Sequence, residues 1–354
     1  MFEKSTWIRL PRTVLVGHDV LDSTVEALSD PALNGRPLVV TGPIPREVAG
    51  QRVLDELEAG GLDPAVVEPE GTSFGAVETT IEAARDADAG YLVAVGGGRP
   101  IDIAKMAADE IGVGFVSVPT APSHDGIVSG RASMPDGDTR HSVAADPPLA
   151  VIADTGVLAD APWRLTTAGC ADIISNYTAV RDWELARRLR NEPYSEYAGA
   201  LSRMTAEMLV ENADSIKQGL EESAWIVLKA LISSGVAMSI AGSSRPASGA
   251  EHLFSHQLDR LADDPALHGH QVGVGTIAVA YLHSGENGFW REIRSALTAI
   301  DAPTTAAELG IDPETATEAL ATAHQIRDRY TILGDGLSQD AAHEALSITG
   351  VIDG

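Results

Sequence analysis

Four of the ten histidines in the chain lie close together and could bind a divalent metal. They are His252, His256, His268 and His270. The first two are four positions apart in a segment with helical spacing, so their side chains share one helix face. A predicted turn at residues 263–265 would reverse the chain before His268 and start a second helix. Because neutral imidazole is a common zinc ligand, this spacing predicts a metal site.

A carboxylate that could complete the site stands far away in the sequence, at Asp172. It lies in the apolar helical segment 168–174, where an unpaired charge would be costly. A divalent metal needs three or four ligands, and a catalytic site often leaves one position open. We therefore expect Asp172 to join two of the histidines, with His256 and His270 as the weakest ligand candidates. The alternative is that all four histidines are ordinary surface or core residues.

The same two histidines also match the His-x-x-x-His spacing of zinc metalloproteases. However, Leu253 stands where those enzymes carry the glutamate that acts as general base, which argues against a zinc hydrolase. The single cysteine, Cys170, lies beside a glycine in a predicted helix, and we interpret it as a packing residue.

A glycine-rich loop at residues 96–102, with the sequence GGGRPID, offers a second kind of chemistry. It follows a predicted strand and opens a predicted helix from Ile101 to Glu110 that ends at Gly112. Glycines let the backbone approach a ligand closely, and free N–H groups at a helix N-terminus favour a phosphate. The loop therefore predicts pyrophosphate binding, although it lacks the third glycine of the usual dinucleotide fingerprint, and a plain strand-to-helix turn is the alternative. The loop residues assigned to cofactor binding are Gly97, Gly98, Arg99, Pro100, Ile101 and Asp102.

A second polar loop, at residues 119–126, follows the next predicted strand along the chain. Loops at the carboxyl ends of parallel strands are where ligands bind in open α/β sheets. Thr120, Ser123 and Asp125 are therefore candidates for contacts with a cofactor or substrate.

The elements that must position these loops follow an α/β pattern over the first 155 residues. Apolar, β-branched runs at residues 13–16, 37–40, 91–95, 115–118 and 150–153 each end at a turn residue. The runs lack polar alternation, which is typical of a parallel sheet covered on both faces. We therefore predict an α/β, Rossmann-like, nucleotide-binding domain at residues 1–160.

After Pro162 the pattern becomes helical, with Ala-, Leu- and Glu-rich segments at residues 165–189, 194–216 and 221–241. These segments predict an all-α domain at residues 161–354 that binds the metal and the substrate. The most apolar stretch, residues 225–242, contains Lys229, and we interpret it as a buried helix and not as a membrane span.

The composition is that of a globular protein, with 44% apolar residues and a net charge of −26. So anionic a surface repels nucleic acid and acidic membranes, which excludes them as partners. The charge is spread along the chain and fits adaptation to high salt, where screening shortens to about 3 Å at about 1 M. The single cysteine, with Glu3 and Lys4 interrupting any apolar signal sequence, predicts a cytoplasmic protein. A homo-oligomer is the usual state for such enzymes.

Five stretches of the chain together resemble the superfamily of iron-dependent alcohol dehydrogenases, glycerol dehydrogenases and dehydroquinate synthases. They are GGGRPIDIAK (96–105), SVPTAPSHDGIVSGRAS (117–133), AGCADIISNYTAVRDW (168–183), SRPASGAEHLFSHQLD (244–259) and LHGHQVGVGT (267–276). They occur in the order found in the family. The resemblance implies a dehydroquinate synthase-like fold, in which a nucleotide-binding domain precedes a helical metal-binding domain. The strongest likeness is to the archaeal sn-glycerol-1-phosphate dehydrogenase branch.

Carried over residue by residue, the resemblance implies a zinc ion bound by Asp172, His252 and His268, which would be the catalytic centre. It implies that His256 and Asp125 contact the substrate, together with Asp172. As a Lewis acid, the zinc would polarise the carbonyl group of a ketone.

The resemblance also implies that residues 97–101, with Thr120, Ser123 and Ser129, hold a nicotinamide cofactor. The second predicted strand ends at residues 41–42, Thr-Gly, and not at an acidic residue that would hold a ribose 2′-hydroxyl. Use of either NAD or NADP is therefore expected.

The implied reaction is the reduction of dihydroxyacetone phosphate to sn-glycerol 1-phosphate for archaeal phospholipid synthesis. An arginine near hydroxyls at a helix start could recognise the phosphate group, so we predict Arg245 as its ligand. The alternatives are a glycerol dehydrogenase that acts on unphosphorylated substrates, a zinc-dependent lyase of the dehydroquinate synthase type, and a non-catalytic binding protein.

Overall fold

The structure is a computed structural model that describes residues 7–136 and 139–353. The chain forms two compact units. Unit 1 comprises Met1–Pro162 and Gln218–Ser239, and unit 2 comprises Trp163–Lys217 and Ile240–Gly354. The predicted domain boundary after residue 160 did not foresee that residues 218–239 return to unit 1. Glu3 and Lys4, used for the prediction of a cytoplasmic location, lie outside the described residues.

Unit 1 is built on a six-stranded parallel sheet with the strand order β1-β8-β5-β4-β2-β3, and it carries a separate antiparallel hairpin, β6-β7. The strands are β1 Thr13–Gly17, β2 Arg36–Val40, β3 Ala65–Val67, β4 Ala89–Gly96, β5 Gly114–Pro119, β6 Arg131–Asp136, β7 Thr139–Ala144 and β8 Ala150–Asp154. All five predicted strands are confirmed. The sequence did not predict β3, which is too short to show a periodic pattern, or the hairpin.

The central strands of this sheet are buried on both faces, which explains why their sequences lack polar alternation. Val93 and Val95 in β4, Val116 in β5 and Ile152 in β8 have no exposed surface. Burying each such side chain contributes about 1.5–3 kcal/mol. The sheet therefore fixes the loops that follow β4 and β5 on a rigid base.

Short helices connect the strands of unit 1. They are α1 Thr24–Ala27, α2 Pro43–Pro45, α3 Gln51–Ala59, α4 Phe74–Asp86, α5 Gly98–Ile111 and α6 Thr155–Ala159. The helix after the glycine loop ends at Gly112 as predicted, because Gly112 adopts a left-handed conformation (φ 72°) that closes it. It begins at Gly98, three residues earlier than predicted.

Helix α10, Glu221–Ala241, contributes most of its length to unit 1. By length and composition it could cross a membrane, but core helices of other proteins meet the same test. Its Ser234 hydroxyl donates to Asp125 Oδ2 (2.8 Å), and Glu221 accepts from Thr155 Oγ1 (2.6 Å). These polar contacts to unit 1 fit a packed helix.

The described residues of unit 2 contain helices and no strand, as predicted. The α-helices are α7 Trp163–Ile174, α8 Asn176–Arg190, α9 Glu196–Glu211, α11 Ala250–Leu261, α12 His268–Ser284, α13 Trp290–Ala299, α14 Pro313–Thr322 and α15 Gln339–Ile348.

Two glycines allow α12 to pack closely between α7 and α11. A Cβ atom on Gly269 would collide with the backbone oxygen of Ala168 in α7. A Cβ atom on Gly275 would lie 2.7 Å from a ring carbon of Phe254 in α11. Because larger side chains would force these helices apart, the glycines set the spacing of the side chains that the three helices present.

Candidate active site

Three helices of unit 2 bring one carboxylate and two imidazoles to one place. Asp172 lies on α7, His252 lies on α11, and His268 is the first residue of α12. One ligand atom from each lies within 4.8 Å of the others, and His252 Nε2 is 3.5 Å from Asp172 Oδ1. The structure thus brings together the three residues that the sequence singled out as metal ligands. They are close enough to share one cation.

The imidazole of His252 is oriented by a buried carboxylate. Its Nδ1 lies 3.0 Å from Oε1 of Glu251, a residue with no exposed surface. Glu251 is itself held by the hydroxyl of Thr178 (2.7 Å) and by the backbone N–H of Gly249. Because Nδ1 is engaged in this way, Nε2 faces Asp172 and becomes the ligand atom once its proton is displaced.

A serine does the same for His268. Ser255 donates its hydroxyl to Gln271 Oε1 (2.7 Å), so its oxygen can accept from His268 Nδ1 (3.0 Å). The proton of the neutral ring is then on Nδ1, which leaves Nε2 as the ligand atom. Both imidazoles are therefore oriented before a metal binds.

Burial and charge set the protonation of these groups in opposite directions. Burial alone would lower the pKa of His252, but hydrogen bonds to Asp172 and Glu251 outweigh it and raise that pKa to about 9. Burial lowers the pKa of His268, and the positive charge on nearby His252 lowers it further. A metal cation can therefore bind between the carboxylate and the imidazoles by displacing a proton that these groups hold.

The other two histidines lie outside this cluster, as the sequence suggested. The His256 ring stacks on His268 with centroids 5.5 Å apart, and burial lowers its pKa. His270 Nε2 is paired with Thr167 Oγ1 (2.9 Å), and burial lowers its pKa to about 4. His256 is therefore a neighbour of the cluster, while His270 is a core residue with its own partner.

In unit 1 the glycine loop connects β4 directly to α5. Gly96 has a φ of 152°, and a Cβ atom there would collide with Pro100. Thr120 N–H donates to Gly96 O (3.0 Å), which joins this loop to the one that follows β5. Gly97 precedes the helix without a side-chain cap, so the backbone N–H groups of the first turn remain available to a phosphate.

The residues assigned to cofactor binding have different surroundings. Arg99 is exposed, whereas Ile101 is fully buried. Asp102 points into unit 1, where its carboxylate accepts from Lys105 Nζ (3.2 Å) and from the backbone N–H of Ser133 (3.0 Å). This position gives no support to a cofactor contact by Asp102, because both oxygens are engaged inside the fold.

The residues of the second loop are mostly half-buried. Thr120, Ser123 and Asp125 are partly accessible, while Ser129 has no exposed surface. Asp125 is held by the hydroxyl of Ser234, and its negative charge also acts on Lys105. The loop is therefore fixed to both α10 and α5.

The sequence analysis did not identify His124, which lies against the glycine loop. Its Nδ1 accepts from the backbone N–H of Gly126 (2.9 Å), and its Nε2 occupies the space that a Cβ atom on Gly98 would take. Lys105 was also missed, although it is fully buried and donates to the backbone oxygen of Gly126 (2.6 Å). The sequence signals were Lys105 in the helix that follows the glycine loop and His124 in the polar loop that follows β5.

Arg245, predicted to bind a phosphate, is engaged elsewhere in unit 2. Its Nε donates to Glu192 Oε1 (2.6 Å), its Nη2 pairs with Oε2 of the same residue, and its Nη1 donates to Tyr330 O (2.9 Å). Because Glu192 already neutralises this guanidinium, the structure does not support Arg245 as the phosphate ligand.

Solved structures of similar fold include dehydrogenases and reductases. A probable glycerol dehydrogenase from Sinorhizobium meliloti aligns over 98% of both chains with a TM-score of 0.81 and 21% identity. A sulfoacetaldehyde reductase from Bifidobacterium kashiwanohense, solved in complex with NAD+, aligns over 99% of this chain and 100% of its own with a TM-score of 0.78 and 14% identity. These similarities confirm the predicted fold class.

Sequence comparison gives a narrower result. The family described as iron-containing alcohol dehydrogenase matches residues 15–162. A glycerol-1-phosphate dehydrogenase [NAD(P)+] from Haloarcula marismortui is 73% identical over 99% of this chain and 100% of its own. One of the same description from Methanosarcina acetivorans is 55% identical over 98% of this chain and 97% of its own. This chain belongs to the glycerol-1-phosphate dehydrogenase family, among the iron-containing alcohol dehydrogenases.

Proposed function

We propose that the protein reduces dihydroxyacetone phosphate to sn-glycerol 1-phosphate with NADH or NADPH and a bound zinc ion. The observation that carries the proposal is the convergence of Asp172, His252 and His268. The relatives described above are named for the same activity with NAD(P)+. In an archaeon the product would be the backbone of membrane phospholipids.

The donor set fits zinc. Two imidazole nitrogens and one carboxylate oxygen are ligands that zinc accepts in catalytic sites, and such a set leaves a position for the substrate. The same donors also bind iron or manganese, so metal analysis is part of the test. When bound, the metal would stabilise negative charge on the carbonyl oxygen. Glu251 and Ser255 contribute by orienting the two imidazoles through Nδ1, so that Nε2 of each ring would be the ligand atom.

For the cofactor, we propose that the backbone of residues 97–101 binds the pyrophosphate, with Thr120, Ser123 and Ser129 as further contacts. The nicotinamide supplies the hydride that reduces the ketone. Strand β2 ends at Val40 and is followed by Thr41, whose hydroxyl donates to Val95 O (3.0 Å), and by Gly42. With no carboxylate at this strand end, a ribose 2′-phosphate is not repelled, which supports use of both NAD and NADP.

For the substrate, we propose that Asp125 binds a hydroxyl group and that His256 contacts the carbon chain beside the metal. A carboxylate oxygen accepts a hydrogen bond from a substrate hydroxyl, and Ser234 holds the other oxygen of Asp125 in place. We further propose that the enzyme is a cytoplasmic homo-oligomer adapted to high salt, given the net charge of −26.

The test is an assay of the purified protein in concentrated KCl with added zinc. The protein should oxidise NADH or NADPH rapidly when given dihydroxyacetone phosphate. The kcat/KM for dihydroxyacetone should be at least about tenfold lower than that for dihydroxyacetone phosphate, because the charged phosphate group makes additional contacts with the enzyme. Equal values for the two ketones would identify a glycerol dehydrogenase. No oxidation with either ketone would overturn the proposal, and the dehydroquinate synthase reaction would be assayed next. Metal analysis of the protein as purified identifies the ion.

A further inference from the structure

An arginine and a glutamate form an ion pair beyond the ends of two neighbouring strands of unit 1. Arg46 follows α2, the short helix after strand β2, and Glu68 follows Val67, the last residue of β3. Arg46 Nη1 donates to Glu68 Oε1 (2.8 Å). Neither residue belongs to the metal-ligand cluster or to the glycine loop. The pair is therefore a candidate for a role of its own.

This ion pair lies at the same edge of the sheet as the glycine loop. Thr41, just after β2, donates its backbone N–H to the last residue of β3 (3.1 Å) and its hydroxyl to Val95 O in β4 (3.0 Å). A Cβ atom on Gly96 would lie 3.3 Å from Cβ of Pro45, the residue before Arg46. The carboxyl ends of β3, β2 and β4 are therefore side by side, and Arg46 is next to the start of the glycine loop.

The carboxyl end of the second strand is where open α/β sheets distinguish NAD from NADP. There a carboxylate binds the ribose 2′-hydroxyl of NAD, or an arginine binds the ribose 2′-phosphate of NADP. In this protein β2 is followed by Thr41 and Gly42, which carry no charge, while Arg46 and Glu68 supply both kinds of group nearby. The ion pair therefore lies near the position at which the two cofactors differ.

Arg46 can exchange its carboxylate partner for a phosphate, unlike Arg245. The Arg46 side chain is 42% exposed and that of Glu68 is 33% exposed, and they are joined through Nη1. Because ion pairs this exposed contribute little to stability, separating the two residues costs little. Arg245 is instead buried, and all three of its guanidinium nitrogens are engaged by Glu192 and Tyr330. Of these two arginines, Arg46 is the one that can bind an incoming anion.

We propose that Arg46 binds the ribose 2′-phosphate of NADP, and that Glu68 sets the balance between NADP and NAD by competing for Arg46. This inference rests on the cofactor use proposed above. A guanidinium group binds a phosphate dianion through paired, charge-assisted hydrogen bonds, which are stronger than a single bond to an exposed carboxylate. NAD lacks this phosphate, so with NAD Arg46 keeps Glu68 as its partner. The two residues are therefore determinants of cofactor specificity.

The test measures binding without turnover, by fluorescence titration with NADH and with NADPH in concentrated KCl. In Arg46→Gln the Kd for NADPH should rise about tenfold, while the Kd for NADH stays within about twofold. Glu68→Gln removes the competing carboxylate, so it should lower the Kd for NADPH about two- to fivefold. Arg46→Lys, which keeps the charge but loses the paired donors, should give an intermediate Kd for NADPH.

Arg36→Gln is the matched control, because Arg36 pairs with Asp63 (3.1 Å) at the opposite end of β2. It should leave both Kd values within about twofold, and circular dichroism checks that each variant is folded. An unchanged Kd for NADPH in either glutamine variant of the Arg46–Glu68 pair, or equal losses with both dinucleotides, would overturn the inference. A selective loss with NADPH in Arg99→Gln, but not in Arg46→Gln, would also overturn it and assign the phosphate to the glycine loop. If Arg46 discriminated between the dinucleotides in a protein that reduces neither ketone, the proposed function alone would be wrong.

Discussion

The glycine loop of unit 1 and the metal-ligand cluster of unit 2 are both candidate binding sites, but they are built in different ways. The loop offers backbone groups from consecutive residues, and its glycines matter for the side chains that they lack. The metal-ligand cluster offers side chains from Asp172, His252 and His268, which meet only because three helices pack together. A substitution in the loop should therefore act locally, through steric overlap. A substitution in the metal-ligand cluster should instead remove charge and abolish the reaction.

The largest effect is expected from Asp172→Asn. Removing the only carboxylate of the metal-ligand cluster should release most of the metal and lower kcat by about 10³-fold or more, because several kcal/mol of charge stabilisation is lost. Nicotinamide affinity, which we propose depends on the glycine loop of unit 1, should stay within about twofold. Metal content, kcat and cofactor titration are measured together. The control is Asp214→Asn at an exposed position, and a variant of Asp172 that kept its metal and rate would remove this site from the mechanism.

A smaller effect at the same site is expected from Ser255→Ala. Loss of the hydroxyl that orients His268 Nδ1 should weaken zinc affinity about 10–100-fold without removing a ligand. Competition with a chelator measures it. Ser233→Ala is the matched control, because that hydroxyl bonds only the backbone oxygen of Lys229 in its own helix. Equal zinc affinity in the two variants would mean that His268 is oriented by packing alone.

In the loop, Gly98→Ala should raise the Kd for NADH about tenfold and leave zinc affinity unchanged. The added methyl group would collide with His124, and relieving the overlap costs about 1–3 kcal/mol. Fluorescence titration gives the Kd. Gly75→Ala is the control, since its methyl group would meet only Ser73 Oγ at 3.6 Å. The double variant Gly98→Ala with His124→Ala should recover most of the affinity, and failure to do so would assign the loss to the backbone and not to His124.

The smallest effect is expected at Cys170, which lies two residues from Asp172 but has no assigned role. Burial raises the pKa of its thiol to about 12, so the nucleophilic thiolate is nearly absent below that pH. A thiol reagent at pH 8 should label the protein only after denaturation. Labelling of the folded protein within minutes would show that α7 opens locally and that the metal-ligand cluster is less rigid than its packing indicates.

Local pattern was sufficient for much of the fold. The five apolar runs predicted strands because a strand buried on both faces needs continuous apolar sequence. The triple glycine and Gly112 marked the start and end of α5 because both positions need special backbone geometry. The three-residue β3 has no such pattern, and α10 could be assigned to unit 1 only from its contacts with Asp125 and Thr155.

The sequence by itself determined the chemical types at the sites: imidazoles, one buried carboxylate and a loop without side chains. Which polar groups face each other was decided by tertiary structure, because pairing depends on the distance between helices and not on spacing along the chain. Arg245 has the side chain of a phosphate ligand, but in the folded protein Glu192 neutralises it. The net charge at a site therefore depends on which residues the fold brings together, because an unpaired charge is more costly in the protein interior than in water.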